Sequence, residues 1–392
     1  MTSFISSSTV RRTVLPNGLT VLIRRDTSAP VVAIVTYVKA GYFDEPDEVS
    51  GIAHVLEHMF FKGTERRGVG EISKETKGSG GFLNAHTIYD QTVYFTVLPS
   101  SGFAAGIDIQ SDAYAHSVID AAELKKELEV IIQEAKRKTD NPSALATETL
   151  YEILHDAHRM RRWRIGHEEG LRALDRSAMM KFYTNYYRPS NTILSIVGDI
   201  DPDEAVQQVV SHYGDLPDAQ PLRDVGPLEP RHDDLRYREI SGDISQSQVL
   251  LGWRTPATMH EDTPALDVAA HLLAAGRSSR LYRALRERQL ASSVSASNYS
   301  PTELGVFVVH AETEPGCEVD AAAAAWEQVR AIREDALDPQ EMERVHNIFD
   351  ARWLRRFESM EGQANYLAEW EALGDWQLGD DYYARFLAVT SE

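Results

Sequence analysis

The densest chemistry in this chain sits in one short run, His54-Val55-Leu56-Glu57-His58. On a helix, His54 and His58 stand four residues apart and point the same way, one turn above the other. That arrangement is a two-imidazole grip on a metal ion. Glu57 lies three residues from His54 and next to His58, so its carboxylate can reach a metal-bound water without taking a coordination position. Two imidazoles, a carboxylate from elsewhere and a water in the fourth position suit zinc. Zinc lowers the pKa of such a water to about 7, and a nearby carboxylate can accept its proton. Without a metal, the same pentapeptide is two helix histidines beside an acid.

A site of this kind needs a further carboxylate from a second helix. Glu127 and Glu134 lie seven residues apart in Ala121 to Lys138, where Leu124, Leu128, Ile131 and Ala135 recur at helical spacing. The two acids therefore share a face with Ile131 between them. Carboxylates on a buried stripe are costly unless paired or metal-bound, and the alternative is that they meet arginines or edge the solvent face. Pattern alone does not choose between them. Cys317 is the single cysteine, which excludes an internal disulfide and a four-thiolate zinc site. Any metal must use His, Asp or Glu.

These residues need elements to hold them. Val10 to Leu15 and Leu19 to Arg24 read as strands around the turn signal Pro16-Asn17-Gly18, and Val31 to Val38 as a third. Gly51 to Lys62 has helical length, with Gly63 as its expected C-cap. Phe82 to Leu98 reads as strands, Ala121 to Lys138 as a strong helix, and a long helical region is expected from there to about Tyr187. Thr192 to Val197 is a strand. Pro217, Pro221, Pro227 and Pro230 mark a linker. Beyond it the order restarts: Gln248 to Trp253 a strand, Thr263 to Ala275 a helix, Val306 to Glu312 a strand, Asp338 to Phe357 a helix.

The restart has a near-constant offset. Gly63 and Gly276 each follow a helix, 213 residues apart, and Asp120 and Asp338 open long helices 218 apart. The expectation is an α+β fold with two copies of one unit: residues 1–216, a linker 217–236, and residues 237–392. The metal set does not repeat. Its counterparts are Asp267, Ala270, His271 and Arg352, so the second copy is expected to lack the site and His271 to be a structural histidine. The second copy also stops before a counterpart of the helix Ala178 to Tyr187 and the strand after it, so it reads as truncated or shortened. Among weaker signals, His155 and His158 read as isolated surface histidines, Arg159 to Arg164 as a solvated basic cluster, and Tyr366 to Trp376 as core.

Composition narrows the function. The chain has 392 residues, 43% hydrophobic and 26% charged, which is globular and fits about two domains. Sixty acids against 40 Lys+Arg give −20, which argues against nucleic acid and against an anionic membrane surface. The longest apolar run, Val31 to Val38, falls short of the ~18–20 residues that span a bilayer. Met1 to Arg12 lacks the apolar run of a signal peptide, so no export signal is visible, and the chain reads as soluble, in a bacterial cytoplasm or periplasm that the sequence leaves open.

The order His-x-x-Glu-His is the inverzincin signature. With it, the chain resembles the pitrilysin/insulinase family of zinc metallopeptidases, in the branch of bacterial peptidases and the mitochondrial processing peptidase. The resemblance is carried by Leu15-Pro-Asn-Gly-Leu-Thr-Val21, Gly51 to Met59 followed by Phe61-Lys-Gly-Thr64, Gly80-Gly-Phe-Leu-Asn-Ala-His-Thr87, Glu127 to Glu134, Tyr187-Arg-Pro-Ser-Asn191 and Ser278-Ser-Arg-Leu-Tyr282. It spans essentially the whole chain. It implies one Zn2+ per chain on His54, His58 and Glu134, the last 76 residues beyond the second histidine as in the family. It implies Glu57 as general base and Glu127 as a supporting acid. Phe82, Leu83, Asn84 and Ala85 match an edge strand on which an extended peptide adds. It also implies that the two domains face each other like the halves of a clam. Active single-chain members bring an Arg and a Tyr to the scissile carbonyl. Arg286 supplies the first, but Ser292 and Ser293 stand where the Tyr is expected. The resemblance therefore implies a zinc-bearing subunit acting on peptides or unfolded protein with a homologous subunit that carries the Arg/Tyr pair. A self-sufficient homodimer and a non-catalytic structural subunit are the alternatives.

Overall fold

The computed structural model describes residues 5, 9–223, 225–232 and 234–391. Apart from Ile5, residues 1–8 of the segment read for an export signal lie outside the described residues. In chain order the elements are β1 (Val10–Val14), β2 (Thr20–Arg25), β3 (Val31–Val38), α1 (Ile52–Met59), α2 (Glu71–Gly78), β4 (Phe82–Thr87), β5 (Thr92–Pro99), α3 (Phe103–Ala115), α4 (Ala121–Thr139), α5 (Pro142–Leu154), α6 (Glu168–Ala173), α7 (Arg176–Tyr186), β6 (Thr192–Gly198) and α8 (Pro202–Tyr213). After the linker come β7 (Ser247–Thr255), α9 (Thr263–Ala274), β8 (Ser293–Tyr299), β9 (Gly305–Thr313), α10 (Glu318–Glu334), α11 (Pro339–Arg355), α12 (Met360–Ala372) and α13 (Leu378–Leu387).

Two compact units emerge, and neither is a single stretch of chain. The first holds residues up to Lys136, Trp163–Pro227 and Arg355–Asp380; the second holds Arg137–Arg162, Leu228–Leu354 and the residues from Asp381 on. In the first unit the sheet runs β1-β2-β6-β3-β5-β4, antiparallel except for the parallel pair β2 and β6. Residues 32–38 of β3 are all buried. Because side chains alternate faces along a strand, both faces of the sheet must be covered there. α3 and α8 pack over β2, β3 and β5, and α12 packs over β3, β5 and β6. Polar contacts lock α12 in place: Gln363 donates to Asp26 at 3.1 Å and accepts from Arg24, and Arg12 pairs with Glu371 at 2.8 Å.

In the second unit the sheet is β7-β9-β8, antiparallel. This repeats the order β3-β5-β4 of the first. α5 packs on β7, as α12 packs on β3, so each unit is covered by the helix that follows the other unit's long helix. No counterparts of β1, β2 and β6 occur among the described residues of the second unit.

Three local expectations are corrected. The helix that carries the histidines ends at Met59, with Phe60 as C-cap, so Gly63 lies beyond the cap in a left-handed turn at φ 117°. The region from 139 to Tyr187 is not one long helical stretch. His155 and His167 are extended and Gly166 has φ 84°, which breaks it into α5, a 3-10 turn, α6 and α7. His155 and His158 are not on the surface: they are 2% and 5% exposed. His155 Nδ1 donates to Tyr151 O and His158 pairs with Glu303 at 2.8 Å. Arg159, read as solvated, is buried as well.

Candidate metal centre

α1 is buried along most of its circumference: Ile52, Ala53, Val55, Leu56 and Met59 all enter the core. Its start is fixed by Gly51, at φ 97°, where an added Cβ would lie 2.2 Å from Ile165 O. Only glycine combines that backbone with that approach. The buried Glu45 carboxylate accepts from Gly51 N and Ala53 N at 2.9 and 3.0 Å, satisfying first-turn donors and placing negative charge at the helix N-terminus. α4 begins in the same way, with Asp120 accepting from Ala122 N and Glu123 N. It buries Leu124, Glu127, Leu128, Ile131 and Ile132.

The two helices bring His54, His58 and Glu134 together, with one ligand atom from each lying within 4.8 Å of the others. His54 Nε2 and His58 Nε2 each stand 3.9 Å from a different oxygen of Glu134. Donors held about 2 Å from a tetrahedral zinc are roughly 3.3 Å apart, so a small closure at a half-exposed carboxylate makes the set fit. The donor chemistry, two imidazoles and one carboxylate with a position left over, is that of a catalytic rather than a structural zinc site. His58 Nδ1 donates to Glu127 Oε1 at 2.9 Å, which leaves Nε2 as the free lone pair. Glu127 is pulled two ways. Burial raises its pKa, but Lys62 and His58 outweigh that and hold it below the usual carboxylate value.

Glu57 does not join the triad. Its Oε2 accepts from Thr87 Oγ1 at 2.6 Å. Burial pushes its pKa up, and Glu134 adds to the shift, while Thr87 and His58 oppose it. A carboxyl of raised pKa beside the triad suits proton transfer near neutrality. Thr87 is the last residue of β4, which ends the sheet order and pairs with β5 alone among the described residues. Phe82 and Asn84 on that strand are exposed, Leu83 and Ala85 half-buried, and Ala85 N donates to the Asn84 side chain at 3.0 Å.

Arg286 closes a π-helical turn, Tyr282–Arg286, and donates to Ala291 O at 3.3 Å. Ser292 bonds Glu312 O through both its amide and its hydroxyl. The counterparts of the metal set in the second unit also meet. His271 Nδ1 donates to Asp267 O at 2.8 Å, and Arg352 Nη1 donates to His271 Nε2 at 3.2 Å. Both ring nitrogens are occupied, and a guanidinium stands where the first unit has Glu134. Asp267 turns instead to Asn298 and Tyr382.

Sequence reasoning passed over Glu45, Lys62 and Thr87. Lys62 was legible as four residues beyond His58, on the same helical side. Thr87 closes the segment already singled out at Gly80. Glu45 carried no signal, because its role depends on the chain folding back onto a helix start.

Known proteins resemble this chain over most of its length. Residues 20–166 match the profile described as Insulinase (Peptidase family M16), and residues 173–349 the one described as Peptidase M16 inactive domain. A protein of Rickettsia felis named an uncharacterized zinc protease is 30% identical over 306 residues, covering 76% of this chain and 72% of its own. One from Mycobacterium leprae with a similar name is 29% identical over 345 residues, covering 86% and 76%. Among solved structures, a protease from Helicobacter pylori superposes with TM-score 0.93 at 25% identity, covering 97% of this chain and 94% of the other. An M16-like peptidase from Alicyclobacillus acidocaldarius shares the fold, with TM-score 0.83 at 21% identity over 97% and 92%.

Proposed function

This chain belongs to the insulinase (M16) family of peptidases, and from that premise we propose that it is a zinc-dependent endopeptidase acting on peptides or unfolded segments. The observation that carries the reading is the convergence of His54, His58 and Glu134 from two helices, with the Glu57 carboxyl beside them. Zinc, when bound there, supplies a Lewis acid and an acidified water. With zinc held by His54, His58 and Glu134, Glu57 would take a proton from the attacking water and pass it to the leaving amine. Thr87 holds Glu57 in place through one oxygen and leaves the other for the proton. Glu127 fixes the orientation of His58. The open edge of β4 receives an extended segment through backbone hydrogen bonds, a mode tolerant of sequence.

The oxyanion is the weak point. Arg286 is present, but Ser292 hydrogen-bonds the backbone of β9 where the family resemblance leads one to expect a Tyr. This supports a division of labour, in which a homologous subunit brings the Arg/Tyr pair. The test is metal content and peptide turnover of the chain alone and with such a subunit. One zinc per chain, lost in Glu134→Gln, with turnover only on adding the partner, supports the reading. Full turnover alone supports a self-sufficient homodimer. A metal-free, inert protein leaves the structural-subunit alternative.

A further inference from the structure

Lys62 stands one turn beyond His58, where its own N–H still bonds Met59 O at 3.0 Å. Its Nζ lies 2.5 Å from Glu127 Oε2, and the other oxygen of that carboxylate accepts from His58 Nδ1 at 2.9 Å. The Glu127 side chain is 10% exposed. A carboxylate so far out of water needs a partner for each oxygen, and here each has one. The contacts run ammonium, carboxylate, imidazole, and end at the Nε2 that faces Glu134.

The second unit supplies a comparison inside the same molecule. At the offsets of the repeat, Lys62 corresponds to Ala275 and Glu127 to Val345. The half without the ligand set therefore lacks both members of the ion pair. Its His271 uses a backbone carbonyl for Nδ1 and gives Nε2 to Arg352. Ammonium and acid occur together where the ligand set occurs.

We propose that Lys62 is a positioning residue of the metal centre. By holding Glu127 in the rotamer that takes the His58 Nδ1 proton, it fixes the tautomer whose Nε2 lone pair is free for a metal. A neutral imidazole has two tautomers and only one of them serves here. Lys62 also completes the charge balance: Glu57, Glu127 and Glu134 bring three negative charges, a divalent ion offsets two, and the ammonium offsets the third. The proposal rests on the zinc reading of the site and adds to it the residue that orders one ligand.

Lys62→Met and Lys62→Arg test it. Zinc affinity is measured by chelator competition, unfolding is followed on metal-free protein, and the His58 tautomer is read from histidine nitrogen NMR shifts assigned with His58→Gln. Lys62→Met is expected to weaken zinc binding ~10–100-fold and to spread His58 over both tautomers. Lys62→Arg recovers most of the loss, and its metal-free unfolding matches that of the wild type. Unchanged zinc affinity with an Nδ1–H imidazole in Lys62→Met overturns the proposal. So does an Nε2–H imidazole in the metal-free wild type, or a loss of metal-free stability that Lys62→Arg does not repair. Should the wild type take no zinc on His54, His58 and Glu134, the zinc reading fails while the tautomer still decides the role of Lys62.

Discussion

The residues of the proposed centre divide into those that would touch a metal and those that hold something in place, and replacements should separate them. Glu57→Gln keeps shape and hydrogen bonding but cannot accept a proton. It is expected to retain zinc and lose turnover by ~10²–10⁴-fold, seen by pairing metal analysis with peptide hydrolysis. His54→Ala removes a donor atom and is expected to lose the metal itself. Of the centre, the pairing of His54 with His58 was legible from their spacing of four on a helix, while spacing left Glu127 and Glu134 undecided and the choice of Glu134 came from the family resemblance. The holders were not legible, since Glu45 reaches α1 from a loop and Thr87 from a strand. Arg286 and Ser292 show the reverse: their spacing was readable, but their hydrogen bonds to Ala291 O and Glu312 O depend on a turn and a strand pairing that spacing does not encode.

Most strands were legible with near-coincident limits, as Val31–Val38 shows, since β-branched runs of that length have few other homes; β8, rich in serine and with a single β-branched residue, was not. Helix ends were less so. Gly63 looked like a cap because glycine follows many helices, but α1 stops earlier, and the loop beyond it is tied down by charge. Arg67 in that loop pairs with Glu75, Asp108 and Asp112, and Asp112 is 1% exposed. Arg67→Ala leaves the buried Asp112 with Arg66 and Thr64 as its remaining partners and is expected to cost about 1–3 kcal/mol, measurable as a lower midpoint in urea. In the second unit, Glu229 accepts from the backbone N–H of Asp156, Ala157 and His158 and pairs with Arg254. Burial raises its pKa, but those three N–H groups win and bring it down to about 2. Burial also lowers His155 to about 4, with Glu229 partly opposing. Both folded values lie below the unfolded ones. The stability that His155 contributes is therefore present above about 6.5 and lost as pH falls to about 4, and that of Glu229 is lost from about 4.5 towards 2. Acid titration of the unfolding midpoint checks this, with Glu229→Gln expected to flatten the lower limb.

At the scale of the molecule, the repeat was legible as an offset, but the exchange of helices was not. Hydrophobic period says that α5 and α12 must be buried, and says nothing about which sheet buries them. A fragment ending at Pro227 contains every strand of the first sheet and every residue of the metal set, but not α12. It is expected to bind hydrophobic dye and give poorly dispersed spectra, and to be rescued by a peptide covering 355–380. That dependence also sets a schedule for the ribosome. The first sheet stays uncovered on one side until residues 360–372 have been translated, so the unit that holds His54, His58 and Glu134 cannot mature before the strands of the second unit have been made, and a nascent chain cut short before that point carries those side chains without the shelter they need.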